Sequence, residues 1–165
     1  MKQLWAPWRM PYLRGEHTKV KGCLFCEKLK HPDGEEHVLY RGKRCYVALN
    51  RYPYNNGHML VVPYEHTDML EALDDETTLE LMQLVRHCLN FLRENYNAQG
   101  FNIGVNEGRA AGAGVAEHIH LHIVPRWSGD ANYMTVIAET RIIPQTVDET
   151  YATFRQMFNA LKGLG

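Results

Sequence analysis

The sequence predicts an α+β fold with a mainly antiparallel sheet. Three observations support this: short apolar runs that end at Gly, Pro or polar residues, one long segment with apolar residues at helical spacing, and a capping-box pattern late in the chain. The elements follow as strands, a long helix, more strands and a last helix, an order typical of α+β proteins. Because 165 residues suit one domain, we expect a single domain over residues 1–165.

The strands are predicted from apolar runs and the residues that bound them. Two nearby prolines, Pro7 and Pro11, disfavour regular structure, so residues 1–22 are interpreted as an extended N-terminal arm. The third and fifth strands are expected to end before Pro63 and Pro125, since proline lacks the N–H that a ladder needs. The predicted strands cover residues 38–40, 45–49, 59–62, 101–105 and 117–124.

Two helices are predicted. Leucines recur at helical spacing over residues 68–97, and acidic residues at 74–76 suit the positive end of a helix that starts there. Thr146-x-x-Glu149 is a capping box, which predicts a C-terminal helix over residues 146–163. A glycine-rich loop is expected over residues 108–114.

Composition excludes several classes of function. A net charge of -1 argues against a large nucleic-acid interface, which needs a basic face. No apolar run reaches the ~20 residues of a membrane span, and the first ten residues lack the apolar core of a signal peptide. We therefore expect a cytoplasmic protein without membrane or nucleic-acid partners, whose four cysteines do not form a disulfide framework.

The strongest signal is a strand in which His118, His120 and His122 alternate with apolar residues. Alternate strand residues share a face and lie about 7 Å apart, so the three histidines can serve different centres. A neutral imidazole is available at pH 7 and can attack phosphorus, which divides one difficult displacement into two easier ones. Two alternatives stay open: a strand with histidines on its wet side, and a zinc site made of all three.

A second signal is the Cys23-x-x-Cys26 pair, a common half-site for tetrahedral zinc. The pair alone also fits a redox couple or two free buried thiols. Its remaining ligands must come from elsewhere in the chain. Cys45 and Cys88 lie within predicted core elements and are interpreted as ordinary buried residues.

These motifs together resemble the histidine triad family of nucleotide hydrolases and transferases. The similarity covers about residues 23–127, through Asn50-x-x-Pro53-x-x-x-Gly57-His58-x-Leu60-Val61-x-Pro63-x-x-His66, Asn102-x-Gly104-x-x-x-Gly108 and the triad itself. The tail Pro125-Arg126-Trp127-x-Gly129-Asp130-x-Asn132-Tyr133 is similar to one branch, the diadenosine tetraphosphate phosphorylases or ATP adenylyltransferases. The resemblance implies the family's fold, an adenine nucleotide or dinucleoside polyphosphate as ligand, and a homodimer.

The resemblance also implies roles for single residues. His120 aligns with the nucleophile and His122 with the residue that hydrogen-bonds the α-phosphate. The other implied nucleotide-site residues are Leu24 and Phe25 at the base, Asn50 at the ribose, Asn106, Gly112 and Gly114 at the phosphates, and His58 behind the triad. The family's zinc-bearing members imply a closed structural zinc site of Cys23, Cys26, His66 and His118.

The implied reaction proceeds through a nucleotidyl-histidine that phosphate or water then cleaves. Gly114 stands where several hydrolases of the family carry glutamine, which favours phosphate as the acceptor. Magnesium is expected only with the nucleotide substrate. The alternatives are a hydrolase of dinucleoside polyphosphates or AMP conjugates, a nucleotide-binding interaction module with little turnover, and a zinc-stabilised scaffold.

Overall fold

The computed structural model describes residues 22–130 and 143–160. Two short 3-10 helices, Leu70–Ala72 and Arg109–Ala111, lie in the connections. The helices and strands are α1 (Leu24–Lys28), α2 (Asp33–Glu36), β1 (Val38–Arg41), β2 (Cys45–Leu49), β3 (Met59–Pro63), α3 (Asp75–Tyr96), β4 (Gly100–Val105), β5 (Leu121–Arg126) and α4 (Val147–Ala160).

The strands form one antiparallel sheet in the order β1-β2-β3-β5-β4. One face packs against α3 and α4 through residues such as Val61, Val85 and Phe154. The other face carries a smaller cluster in which Phe25 of α1 lies against Tyr46. The α+β class and the antiparallel sheet are thus confirmed.

Helix α3 begins where the acidic residues 74–76 predicted a helix start, so the predicted segment 68–97 is helical from residue 75 onward. Asp74 caps it, since its side chain accepts a hydrogen bond of 2.7 Å from the Thr77 N–H, and residues 70–72 before this cap form a separate 3-10 turn. The helix ends at Asn97, whose φ of 50° is left-handed. Asparagine tolerates that conformation, so the chain can leave the helix there.

The prediction for the last strand was wrong at both ends. Strand β5 runs over Leu121–Arg126 rather than residues 117–124, and Pro125 lies opposite Phe101 of β4. The ladder with β3 stops at Ile123, so Pro125 has a neighbouring strand on one side only, where a missing N–H is tolerated. Likewise Pro63 belongs to β3, opposite Cys45 at the end of the β2 ladder.

Other differences concern short elements and the ends of the described ranges. The Cys23-x-x-Cys26 pair lies at the start of α1, and neither α1 nor α2 was predicted. The capping box is confirmed by reciprocal hydrogen bonds between Thr146 and Glu149. The predicted arm up to residue 21, Asn132 and Tyr133 of the tail, and the C-terminal helix beyond residue 160 lie outside the described residues. Among the described helices, none has the length and apolar character to cross a bilayer.

Candidate active site and metal centre

The three predicted histidines lie on one face and are buried. His118, His120 and His122 are 1, 5 and 8% exposed, and the rings of the first two contact Phe25. The intervening residues Ile119, Leu121 and Ile123 belong to the core on the opposite face. The predicted alternation is therefore confirmed, although residues 118–120 precede β5, and their burial excludes a wet strand face.

His120 has a hydrogen bond that defines its tautomer. Its Nδ1 lies 2.8 Å from the main-chain oxygen of His118. A carbonyl oxygen only accepts, so Nδ1 carries the proton and Nε2 keeps a lone pair. Burial lowers the pKa of His120, which favours the neutral form. The ring thus has the protonation state that a nucleophile needs.

His58 and His122 form a polarised pair behind His120. The Tyr54 N–H donates to His58 Nδ1 at 3.0 Å, and the Asn50 side-chain amide lies 3.3 Å from the same nitrogen. His58 therefore carries its proton on Nε2, which donates to His122 Nδ1 at 3.0 Å. His122 is left with an Nε2–H, a donor suited to a phosphate oxygen.

Both rings of this pair are held neutral. Burial, with smaller contributions from the neighbouring histidines, lowers the pKa of His58 to about 3 and that of His122 to about 4. A neutral pair preserves the direction of the His58–His122 hydrogen bond at physiological pH. Asn50, predicted at the ribose, lies against His58, and its carboxamide oxygen accepts from the Tyr52 N–H at 2.9 Å.

The structure brings the four predicted metal ligands together. One ligand atom from each of Cys23, Cys26, His66 and His118 lies within 4.8 Å of all the others. His118 Nδ1 is 3.2 and 3.6 Å from the two sulfurs, and His66 Nδ1 is 3.5 Å from the sulfur of Cys26. Zinc bonds of about 2.3 Å to sulfur and 2.0 Å to nitrogen place tetrahedral ligands roughly 3.5 Å apart, so the group fits zinc.

The orientation of His118 supports the same conclusion. Its Nε2 lies 3.0 Å from the Pro63 carbonyl oxygen, so that nitrogen is the protonated one and Nδ1 offers its lone pair toward the sulfurs. Among the described residues, His118 is the only triad histidine in the cluster of four possible metal ligands, which argues against a zinc site made of all three histidines. Cys45 and Cys88 lie in the main core, as predicted, and burial raises the pKa of each thiol to about 12.

The predicted base and phosphate residues lie in α1 and in the segment after β4, and Phe25 contacts the triad histidines. Leu24 and Phe25 open α1, and the Phe25 ring centroid is 4.7 Å from that of His120. Asn106 follows β4 and leads into the glycine loop. Gly112 has a φ of +84° and donates its N–H to Arg109 inside the loop. A Cβ added at Gly114 would meet no atom within 4 Å.

Two residues that the sequence reasoning gave no role complete the site. Tyr54 packs its ring against His58 and His122. The Asp130 carboxylate accepts hydrogen bonds from Asn55, Arg126 and the Trp127 N–H, so it joins the loop before His58 to the end of β5. Asp130 belongs to the tail motif and was therefore visible in the sequence, whereas a single tyrosine in a loop carries no such signal.

Comparisons with known proteins agree with this geometry. A family model described as the HIT domain matches residues 32–129. AP-4-A phosphorylase of Mycobacterium tuberculosis is 40% identical over 157 residues, covering 91% of this chain and 80% of that protein. An asymmetrical bis(5'-nucleosyl)-tetraphosphatase of Schizosaccharomyces pombe is 34% identical, covering 61% and 54%.

Among solved structures, a Zn-bound histidine triad family protein from Mycobacterium smegmatis superposes with a TM-score of 0.69. The two chains are 29% identical, and the superposition covers 87% of this chain and 98% of that one. The expected zinc centre therefore has a zinc-bearing structural relative.

The lowered pKa of His58 predicts a pH dependence of stability. Between the folded pKa of about 3 and the ordinary value of 6.5, the unfolded chain binds a proton that the folded chain does not. Stability should therefore be highest above pH 6.5 and fall as the pH decreases. His58→Gln should reduce this slope by about 1.4 kcal/mol per pH unit near pH 5 and by about half as much near pH 6.5, as measured by urea unfolding between pH 5 and 7.

His31→Gln, in the exposed loop after α1, is the matched control and should keep the wild-type slope. The metal ligands are present in all three proteins, so their own titration cancels in the comparison. An unchanged slope in His58→Gln would contradict the assignment of a buried neutral His58.

Proposed function

This chain belongs to the HIT family, and from that premise we propose that it is a nucleotidyltransferase acting on an adenylated substrate such as diadenosine tetraphosphate. The relatives named as phosphorylase and tetraphosphatase are enzymes, in agreement with the enzyme class predicted from the sequence. The observation that carries the proposal is the His120 tautomer, which directs an unprotonated Nε2 away from the His118 carbonyl.

In the first step His120 Nε2 attacks the α-phosphorus. A P–N bond forms, the P–O bond to the leaving group breaks, and with diadenosine tetraphosphate the leaving group is ATP. The imidazole becomes cationic, and the His118 carbonyl stabilises it by accepting from Nδ1–H. The His122 Nε2–H donates to a phosphate oxygen as negative charge develops, while His58 holds the other side of that ring.

In the second step phosphate attacks the nucleotidyl-histidine, the P–N bond breaks and ADP leaves. The open space at Gly114 supports phosphate as the acceptor, because a glutamine there would extend into that space.

The nucleotide is held by residues around the histidines. Asn106 and the loop from Gly112 to Gly114 surround the phosphates, with Gly112 supplying the left-handed turn. Leu24 and Phe25 cover the base and Asn50 contacts the ribose. Magnesium enters only with the substrate.

Zinc is the proposed structural metal of Cys23, Cys26, His66 and His118. Four protein ligands leave no open position, so the metal when bound supplies folding stability rather than a Lewis acid. The site would join α1 to the segment after β3 and to the start of the triad, and thereby fix the depth of the pocket.

A homodimer is the proposed assembly. Strand β4 is at the end of the sheet, and its exposed Ile103 together with Leu79 and Met82 on α3 provides apolar surface for a second copy. A symmetric contact through β4 would continue the sheet across a two-fold axis.

A hydrolase with water as acceptor is the second candidate function, supported by the tetraphosphatase relative. A binding module with little turnover is disfavoured by the His120 tautomer.

His120→Ala should abolish turnover of diadenosine tetraphosphate while the protein stays folded. Loss of a covalent nucleophile costs several orders of magnitude in rate. The assay is nucleotide separation by ion exchange, with trapping of labelled AMP on the wild type but not on the variant. His31→Ala, an exposed histidine outside the site, is the control. Retention of a tenth of wild-type activity by His120→Ala would remove it from this role.

Freshly purified, reduced protein should contain about one zinc per chain. Cys26→Ser should lose the metal because it removes one of four ligands, whereas Cys88→Ala in the main core should retain it. Elemental analysis gives the metal content, and chelation should lower the melting temperature of the wild type and of Cys88→Ala but not that of Cys26→Ser. Wild-type protein without zinc, or Cys26→Ser with full zinc, would disprove the site.

Phosphate should be the preferred acceptor. With diadenosine tetraphosphate and phosphate the products should be ADP and ATP, whereas attack by water gives AMP and ATP. Gly114→Gln should shift the products toward AMP by filling the acceptor space, and Gly114→Ala should keep phosphorolysis, since φ is not left-handed and no atom obstructs a Cβ. If phosphate changes neither rate nor products, the hydrolase candidate replaces the phosphorylase, and attack by His120 is unaffected.

A further inference from the structure

The aromatic ring of Tyr54 covers one side of the His58–His122 pair. The centroid of the Tyr54 ring is 5.6 Å from that of His122, with an interplanar angle of 19°, and 4.6 Å from that of His58. The tyrosine itself is 47% exposed. The main chain of the same residue donates to His58 Nδ1. One residue thus contacts both histidines: its N–H sets the tautomer of His58, and its ring packs against the ring of His122.

We propose that Tyr54 is a positioning residue of the reaction, whose ring holds the His122 imidazole in line with His58 and shields their hydrogen bond from water. The proposal rests on the proposed function only for its effect on turnover. The alignment of the two histidines is a property of the free protein. Tyr54 touches His122 and not the reacting atoms, so it acts through that ring.

The loop that carries Tyr54 is anchored on both sides. The neighbouring Asn55 side chain donates to the Pro125 carbonyl at 3.0 Å and to the Asp130 carboxylate at 2.8 Å. The Asn55 carbonyl accepts from the His58 N–H at 3.2 Å. These bonds fix the distance between the loop and β5, and therefore hold the Tyr54 ring over the His122 ring of that strand.

The ring matters because water that reached His122 Nδ1 would compete with His58 for that nitrogen. A hydrogen bond that excludes water is stronger than the same bond in solvent. If water reached His122 Nδ1, the ring could turn, and its Nε2–H would lose its direction toward the phosphate. Within residues 22–130 and 143–160, the titratable groups whose rings face His122 are His58, His120 and Tyr54 itself. Burial is the main reason that the pKa of His122 is low, so removal of the covering ring should raise it.

Tyr54→Ala should lower kcat about tenfold to a hundredfold, the cost of a misdirected catalytic group, with a smaller change in KM. Tyr54→Phe keeps the ring and should keep kcat. Tyr54→Leu keeps apolar bulk without a flat ring and should fall between them. Tyr52→Ala is the matched control, since Tyr52 has the same residue type, lies in the same loop and is 45% exposed; it should keep wild-type kcat.

A measurement on the free protein separates this proposal from the proposed function. Nitrogen-detected NMR of the histidine rings should show His122 as the Nε2–H tautomer in the wild type and in Tyr54→Phe. In Tyr54→Ala or Tyr54→Leu the tautomers should mix, and the pKa of His122 should rise toward its ordinary value. Unchanged His122 signals in both variants, or a Tyr54→Phe as impaired as Tyr54→Ala, would overturn the role of the ring. Lack of turnover by the wild type would overturn the proposed function and leave the NMR comparison decisive for Tyr54.

Discussion

Strands β3 and β5 pair antiparallel so that Leu60 lies opposite His122 and Val61 opposite Leu121. This register sets the other contacts of the site. It brings His58, just before β3, against His122, and it brings Pro63, at the end of β3, within reach of His118. Because side chains alternate along a strand, a shift of one residue would turn the histidine face into the main core and separate these pairs.

The tautomers of the histidines follow from this pairing. Main-chain oxygens accept from one nitrogen of His118 and one of His120, while a main-chain N–H donates to His58. Main-chain groups do not change their protonation, so each ring has one defined donor and one defined acceptor. Burial opposes the charged forms, and together these effects leave a lone pair on His118 that faces the cysteine sulfurs and another on His120, the nucleophile of the proposed reaction.

Two further connections hold the ends of the histidine row. At one end the cluster of Cys23, Cys26, His66 and His118, the proposed zinc site, brings α1 against the segment after β3 and the start of the triad. At the other end Asp130 and Asn55 join the loop of Tyr54 to β5. Catalytic groups have to be held to within fractions of an ångström, and side chains fixed by packing and hydrogen bonds meet this need better than side chains on free loops. The sheet places the histidines, and these two connections restrict their movement.

The fold class and the common face of the three histidines could be predicted from the chain alone, because apolar runs and the strand period are local patterns. The grouping of Cys23 and Cys26 with His66 and His118 was implied by the family resemblance, since the Cys-x-x-Cys spacing does not name its partners. The start of β5 at Leu121, the single tautomer of each histidine and the cover of Tyr54 over His122 appear only in the folded chain. Strand limits, burial and hydrogen-bond partners depend on residues far apart in the chain, such as His58 and His122, and only folding brings those residues together.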